Sequence, residues 1–577
     1  MSSNILTKKN IIKNTKNTKK NNITSQININ NITSNININD ITSQININDI
    51  TSNININDKK LIEENIHDTN KYKKLVFGES IKDHWGLINI VDEDNKPTEF
   101  IGIKGPHFND EFLDELLKTK KIIGISAYQN FPQTLKNIYD GKNCDNFLKN
   151  YEDKIILWCH CFKDPQNYIP PGIPLLLYSD SDQFPNIIDL NNLADTVNKQ
   201  YDFFCSLPNG DWNSWIRGKD IAKKWLNYMA DVMNLKICVG GGDMRDGFSD
   251  KIVFTGFLPW IDFIFKMNSS KNLINFSRYD ASPRVIIEAL SLNIPVLLNN
   301  NILGGWKYIN KSTGNLFFYD EPIDKCINNF MNNKYEPLKW MKLNYDIEKN
   351  KMVLATTINK LMSYKYEDFI DGIMYINLSN REDRNISILN ELKKIQVSSN
   401  FIHRIDAILN TVCGYLGSAE SHIKALEYAK KMKWKRFLIL EDDAIFNYPK
   451  ERILYILSEF LRKYENNWDV FMWYTYWNEM IDTDIEFIKK LLWGTTLNSY
   501  IVNEHYIDTL LENFKESKQL LYDEVEKHKI TNPNQKLYIS SNALDQRTHS
   551  LQRKHNWYIS NPYLCSQSTI LYSSTMS

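Results

Sequence analysis

The run Phe437-Leu438-Ile439-Leu440-Glu441-Asp442-Asp443 sets three acids directly after four apolar residues. A short continuous apolar run predicts a strand buried on both faces. Open α/β sheets take ligands beyond the carboxyl ends of their strands, so Glu441, Asp442 and Asp443 are predicted to stand where a ligand sits. Clustered carboxylates repel one another unless a positive group joins them. A divalent cation answers that need, since Mn2+ and Mg2+ take oxygen ligands and pair with phosphates.

A second group of chemically capable residues runs from Arg278 to Leu298. Ser282 suits an N-cap and Pro283 a first helical position, which predicts a helix that ends before Asn293, with Pro295 opening the next strand. Free N–H groups and the dipole at its start favour a phosphate, and Arg278 or Arg284 can add charge. Asp280, just before this helix, and Glu288, in its second turn, can point into one cleft. Asp180-Ser181-Asp182 spells another acidic pair; following a strand, it reads as a loop or turn. Farther along, Arg381 and Arg384 lie three apart after a strand, on one helical face suited to a nucleotide's phosphates or base. Arg404-Ile405-Asp406-Ala407, Gly414 to Gly417 and Ser421-His422 come next, ahead of the acidic turn.

The elements that must hold these residues form two α/β patterns. From about Lys71 to Lys365, strand-like runs (Lys121 to Ser126, Lys154 to Cys159, Leu175 to Tyr178, Leu235 to Val239, Lys251 to Phe254, Asn272 to Phe276, Pro295 to Leu298) alternate with helical ones, predicting parallel sheets. A second pattern starts at Gly372 with Ile373 to Leu378, continues through a helix at Ala419 to Met432 and the strand Arg436 to Leu440, and runs to the end. The boundary falls near residue 366. Ahead of both, residues 1–60 are of low complexity: a nine-residue Ile/Asn unit runs four times from Ile23 to Asp58. It lacks the large apolar residues that close a core, which predicts disorder. The expected division is a repeat tail over 1–60, an α/β domain over 71–365 and another over 366–577.

With 577 residues there is chain for two or three cores. The 69 basic and 69 acidic residues balance, which argues against a nucleic-acid partner and leaves any charged ligand to be handled locally. No apolar run reaches the roughly 18 to 20 residues of a membrane span, and the start has no signal-peptide h-region. Eight cysteines without a C-x-x-C pair suit a reducing, cytoplasmic setting, with Cys159-His160-Cys161 read as core. The 14 tryptophans and 30 tyrosines would also suit sugar-binding clefts.

Two resemblances build on these residues. The Arg278 to Leu298 block, with Gly256 in Phe254-Thr255-Gly256-Phe257-Leu258, Gly304-Gly305-Trp306-Lys307-Tyr308 and Thr313-Gly314, resembles the carboxyl half of a GT-B glycosyltransferase of family 4, with similar blocks in glycosyltransferases of large DNA viruses. That resemblance implies that Glu288 holds a nucleotide ribose. It also implies that Asp280, in place of the family's first Glu, meets the sugar or phosphate. Trp215 to Asp220 resembles the family's basic loop, implying Arg217 or Lys219 on the diphosphate. The second pattern resembles glycosyltransferase family 25, a GT-A type group that includes lipooligosaccharide and collagen galactosyltransferases. The match rests on Asn377-Leu378-x-x-Arg381-x-x-Arg384, Arg404 to Ala407, Gly417 to His422, Glu441 to Asp443, Trp468-Asp469, Tyr500, Asp545 and Gln567 to Ile570. Gly417-Ser418-Ala419-Glu420 before Ser421, and Ile408-Leu409 after Ala407, depart from its pattern.

Together these imply an α/β enzyme in which a GT-B-like double Rossmann module precedes a GT-A-like module. It would be a bifunctional glycosyltransferase moving sugars from nucleotide-sugar donors to hydroxyls of a glycan or protein acceptor. Glu441 and Asp443, with Asp442 turned inward, would hold Mn2+ or Mg2+ on the diphosphate, and His422 would contact the donor. An acceptor hydroxyl must lose a proton in an inverting transfer; Asp545 is the first candidate base and Asp469 the second. The alternatives are one active module of the two, or a glycan-binding or structural protein on a transferase fold.

Overall fold

The structure is a computed structural model that describes residues 71–568, except 106–109, 130, 133–145, 185–186, 211–214, 244, 477, 533–534 and 538–539. The repeat segment 1–60 and the Thr569-Ile570 end of the family 25 pattern lie outside the described residues. Six strands make a first sheet in sequence order: β1 (Val76–Ile81), β2 (His84–Val91), β3 (Pro97–Ile103), β4 (Lys121–Ile125), β5 (Ile155–His160) and β6 (Leu175–Leu177). β1 to β3 pair antiparallel and β3 to β6 parallel. All six residues of β5 are buried, as befits a parallel strand covered on both faces. Cys159 and Cys161 are fully buried there, and burial raises both thiols above their ordinary range.

A second sheet holds β7 (Tyr201–Ser206), β8 (Ile237–Gly240), β9 (Val253–Phe254), β10 (Ser270–Asn275), β11 (Val296–Asn299) and β12 (Gly314–Phe317). Its order is β12-β11-β10-β7-β8-β9, parallel throughout. The order reverses between β7 and β10, and such a switch point leaves a crevice at the strands' carboxyl ends. Helices α1 (Lys219–Asp231), α2 (Trp260–Asn268) and α3 (Arg284–Ser291) pack on this sheet. α3 starts at Arg284, with Pro283 rather than Ser282 in the cap position and no side-chain cap. The Ser282 hydroxyl instead donates to Asp180. α4 (Ile347–Ser363) carries the chain back and buries Leu354, Ala355, Ile358 and Leu361 in the core of the first sheet.

The remaining strands are β13 (Gly372–Asn377), β14 (Ile402–Asp406), β15 (Arg436–Glu441), β16 (Ala444–Phe446), β17 (Val470–Met472), β18 (Asn478–Asp482), β19 (Ile488–Gly494), β20 (Ser499–Asn503), β21 (Trp557–Ser560) and β22 (Cys565–Gln567). Eight of them form a mixed sheet ordered β14-β13-β15-β20-β17-β21-β19-β18, while β16 pairs with β22. Alternation along β15 sends Phe437 and Ile439 into one core and Leu438 and Leu440 into the other, so the apolar run is needed on both faces. α5 (Glu382–Lys394) and α7 (Lys450–Tyr464) cover one face, and α6 (Gly414–Met432) and α8 (Ile507–Thr531) the other. The described residues fall within one compact unit. Among the described residues no helix is long and apolar enough to cross a membrane.

Candidate active site

β13 and β15 lie side by side and parallel, with Ile376 opposite Glu441. Their carboxyl ends open on a cavity of about 240 Å³ lined by Arg384, His422, Glu441, Asp442, Asp443 and Asp545, among others. Asp442 accepts from Asn377 Nδ2 and from Arg384 Nη1, each at 2.8 Å. Asp443 accepts from Asn498 Nδ2 at 2.8 Å and Gln567 Nε2 at 3.1 Å, with Arg384 Nη1 3.5 Å away. Burial raises the Asp442 carboxyl against the pull of Arg384 and Asn377. Burial, and then the neighbouring Glu441, push Asp443 up to about 7. The predicted repulsion among these acids is therefore felt most at Asp443.

Among the described residues no group of three His, Cys, Asp or Glu side chains is arranged to hold a metal ion. Of the expected Glu441, Asp442 and Asp443, Asp442 is the one whose charge Arg384 already meets at 2.8 Å, whereas Asp443 is held by the neutral amides of Asn498 and Gln567 with Arg384 3.5 Å away. Two carboxylates fit a divalent ion that completes its shell with water and substrate phosphate.

His422 is 1 % exposed on α6, with Nδ1 2.8 Å from Tyr500 Oη and Nε2 3.5 Å from Glu441 Oε1. Next to it, the Ser421 hydroxyl ties α6 to the 407–410 loop: it donates to Gly417 O at 2.6 Å and accepts from Ile408 N at 2.9 Å. A Cβ on Gly417 would stand 2.4 Å from Ile408 O, so the loop can approach only a glycine. Asp545 is oriented by backbone donors Thr496 N at 3.2 Å and Gln546 N at 2.9 Å.

Two expected residues do not join this cavity. Arg381 precedes α5 instead of lying on it, and its guanidinium forks onto Asp383 at 2.8 and 2.9 Å. The helix starts one residue too late for the two arginines to share its face. Asp469 sits just before β17, where Asn503 N donates to its carbonyl; Asn503 lies opposite Arg436, at the far end of β15 from Glu441. Its carboxylate meets His505 Nε2 at 2.8 Å and Asn556 N at 2.6 Å.

In the first α/β region, Asp280 and Arg217 meet in an ion pair beyond the carboxyl end of β10. Gly304 N donates to Asp280 O at 2.9 Å; a Cβ at Gly304 would collide with Ala281 O at 1.8 Å. Lys219 opens α1 two residues after Arg217, and Arg278 pairs with Asp220 at 2.9 Å. Glu288 is 5 % exposed and accepts from Trp260 Nε1 at 2.9 Å. Burial raises its carboxyl.

The Asp180-Ser181-Asp182 segment is a buried 3-10 turn that bolts the two sheets together. Asp180 accepts from Ser282 and lies 3.4 Å from Arg284. Ser181 Oγ is 2.7 Å from Ser282 Oγ, and Asp182 takes Lys307 Nζ and Tyr308 Oη, the latter at 2.8 Å.

No family model matches the chain, and no curated protein matches its sequence. Solved structures with a similar course include TarM, at 13 % identity and a TM-score of 0.31 over 47 % of this chain and 52 % of that one. The pneumococcal O-GlcNAc transferase GtfA, in complex with UDP and GlcNAc, is 10 % identical with a TM-score of 0.28 over 48 % and 63 %. WaaG, a glycosyltransferase involved in lipopolysaccharide biosynthesis, is 14 % identical with a TM-score of 0.26 over 43 % and 77 %. The chain thus spans about half the length of TarM.

Sequence reading passes over Asn498 and Thr496, which hold Asp443 and Asp545. Neither belongs to a local motif. They reach the site because β20 runs antiparallel beside β15, so that its start lies at the end of β15.

Proposed function

We propose that the chain is a glycosyltransferase with two nucleotide-sugar sites, a GT-A-like one of family 25 type built on the third sheet and a GT-B-like one of family 4 type between the first two. The reading rests above all on Arg384, Glu441, Asp443 and Asp545 converging on one cavity at the carboxyl ends of β13 and β15.

In the second site, Arg384 brings a fixed positive charge to a departing diphosphate. The start of α6, where Gly414 lines the cavity, adds its N–H groups. Glu441 and Asp443 would hold Mn2+ or Mg2+, which would supply electrostatic stabilisation of the leaving diphosphate. Asp545 stands across the same cavity, fixed by two backbone donors, and takes the proton of the acceptor hydroxyl. The acceptor is a glycan or glycoprotein hydroxyl. In the first site, Glu288 would hold the ribose and α3, with Arg284 and the Arg217 loop, the diphosphate.

One observation favours a narrower reading in which only the second site turns over. The Asp180 carboxylate stands against the first turn of α3, where the first diphosphate would bind. Incubation with UDP-sugars and Mn2+ should release UDP, and no release with any common donor overturns the enzyme reading. Asp443→Ala should remove the chelator-sensitive activity by about 100-fold or more. Glu288→Ala should remove a chelator-insensitive remainder; unchanged total activity assigns all turnover to the second site.

A further inference from the structure

Tyr500 is fully buried on β20, opposite Ile439 of β15 and Met472 of β17. Its hydroxyl lies 2.8 Å from Nδ1 of His422, whose Nε2 lies 3.5 Å from Glu441 Oε1. A carboxylate oxygen only accepts, so of the two neutral imidazole tautomers the one carrying its proton on Nε2 is favoured; the other would set a lone pair against Glu441. Nδ1 is then an acceptor, and the Tyr500 hydroxyl is its donor. Burial and Glu441 both hold that hydroxyl well above its ordinary pKa, which keeps it protonated.

Asn498, the residue that leads into β20, donates to Asp443 Oδ1 at 2.8 Å. One strand thus supports both acids, Asp443 directly and Glu441 through His422.

We propose that Tyr500 and His422 are positioning residues: Glu441 selects the His422 tautomer, Tyr500 holds the ring through Nδ1, and His422 presents Nε2–H toward Glu441 Oε1, orienting the carboxylate that would hold the cation. This assigns His422 to the Glu441 carboxylate and not to the donor, and it rests on the reading of the second site as cation-assisted.

The tautomer is readable without any metal or turnover. In the metal-free full chain labelled with 15N-histidine, with His422→Gln used to assign the signals, two-bond 15N–1H correlations should show His422 protonated on Nε2. Tyr500→Phe should keep the Nε2–H form and move the Nδ1 resonance downfield, because that nitrogen loses its hydrogen bond. A wild-type imidazole protonated on Nδ1, or a Tyr500→Phe spectrum identical to wild type, overturns the proposal.

A second readout is Mn2+ affinity in the presence of UDP. Tyr500→Phe and His422→Ala should weaken it about tenfold, since partners behind a ligand typically cost 10- to 100-fold. His422→Gln, whose amide N–H can reach Glu441, should stay within about threefold of wild type. Loss of Mn2+ binding in His422→Gln as complete as in His422→Ala would make the imidazole itself the ligand and defeat the positioning role. Absence of UDP release from every variant and from wild type would remove the transferase reading alone, because the tautomer result stands on the metal-free protein.

Discussion

Asp443 has two amide donors on its carboxylate and is nevertheless pushed up to about 7 by burial and by Glu441. The folded chain therefore holds this proton more tightly than the unfolded chain, whose aspartates titrate near 3.9. Its contribution to stability is full below that ordinary value and is lost as pH rises through about 7. Asp443→Asn is accordingly expected to raise the unfolding free energy at pH 8 by on the order of 1–3 kcal/mol while abolishing transfer. Urea unfolding at pH 5 and pH 8 checks it: the gain should be clear at pH 8 and small at pH 5. Mn2+ should stabilise the wild type more at pH 8 than at pH 5, because a cation and a proton compete for the same carboxylate. At Glu288 the same sign holds, since burial raises that carboxyl as well. Its role as an acid on a helix was readable from sequence; its hydrogen bond to Trp260, 28 residues earlier, was not.

At the scale of elements, α3 shows how a helix start can be pre-empted. Its first turn faces Asp180, a carboxylate supplied by the first sheet, where an anionic ligand was predicted. Asp180→Asn is expected to cost about 1 kcal/mol of stability through a weakened contact between the two sheets. It should also tighten binding of inorganic pyrophosphate to the first site, measured by calorimetry in EDTA; weaker binding would mean that Asp180 helps to build the site. α6 gives a second case. Gly417→Ala places a methyl 2.4 Å from the Ile408 carbonyl, so the 407–410 loop must move. Activity of the second site is expected to fall at least tenfold by the geometric cost of misplacing cavity walls, with circular dichroism unchanged.

For the whole molecule, the deciding contact is Arg452 of α7, fully buried against the first α/β region. Its guanidinium donates to Glu152 O and Pro171 O at 2.9 Å, to Gly172 O at 3.2 Å and to Glu152 Oε1 at 3.1 Å, and stacks 3.9 Å from the Tyr448 ring. Lys121 of β4 meets the nearly buried Glu451 at 2.6 Å beside it. Arg452→Ala strips donors from three carbonyls at once and is expected to cost about 3 kcal/mol, with a split calorimetric transition as the two regions lose their coupling. The sequence by itself determined the alternating α/β pattern, the buried strand ending at Glu441 and the helix ending before Asn293, because periodicity, continuous apolar runs and cap chemistry act over a few residues. It could not determine which of those acids stay open. Asn498, Tyr500 and Gln567 reach Glu441 and Asp443 only through sheet order, Asp469 is sent to the opposite end of the sheet, and Asp180 crosses to α3. Those outcomes depend on strand register and on contacts between residues more than 50 positions apart, where desolvation and pairing, not local spacing, set each group's state.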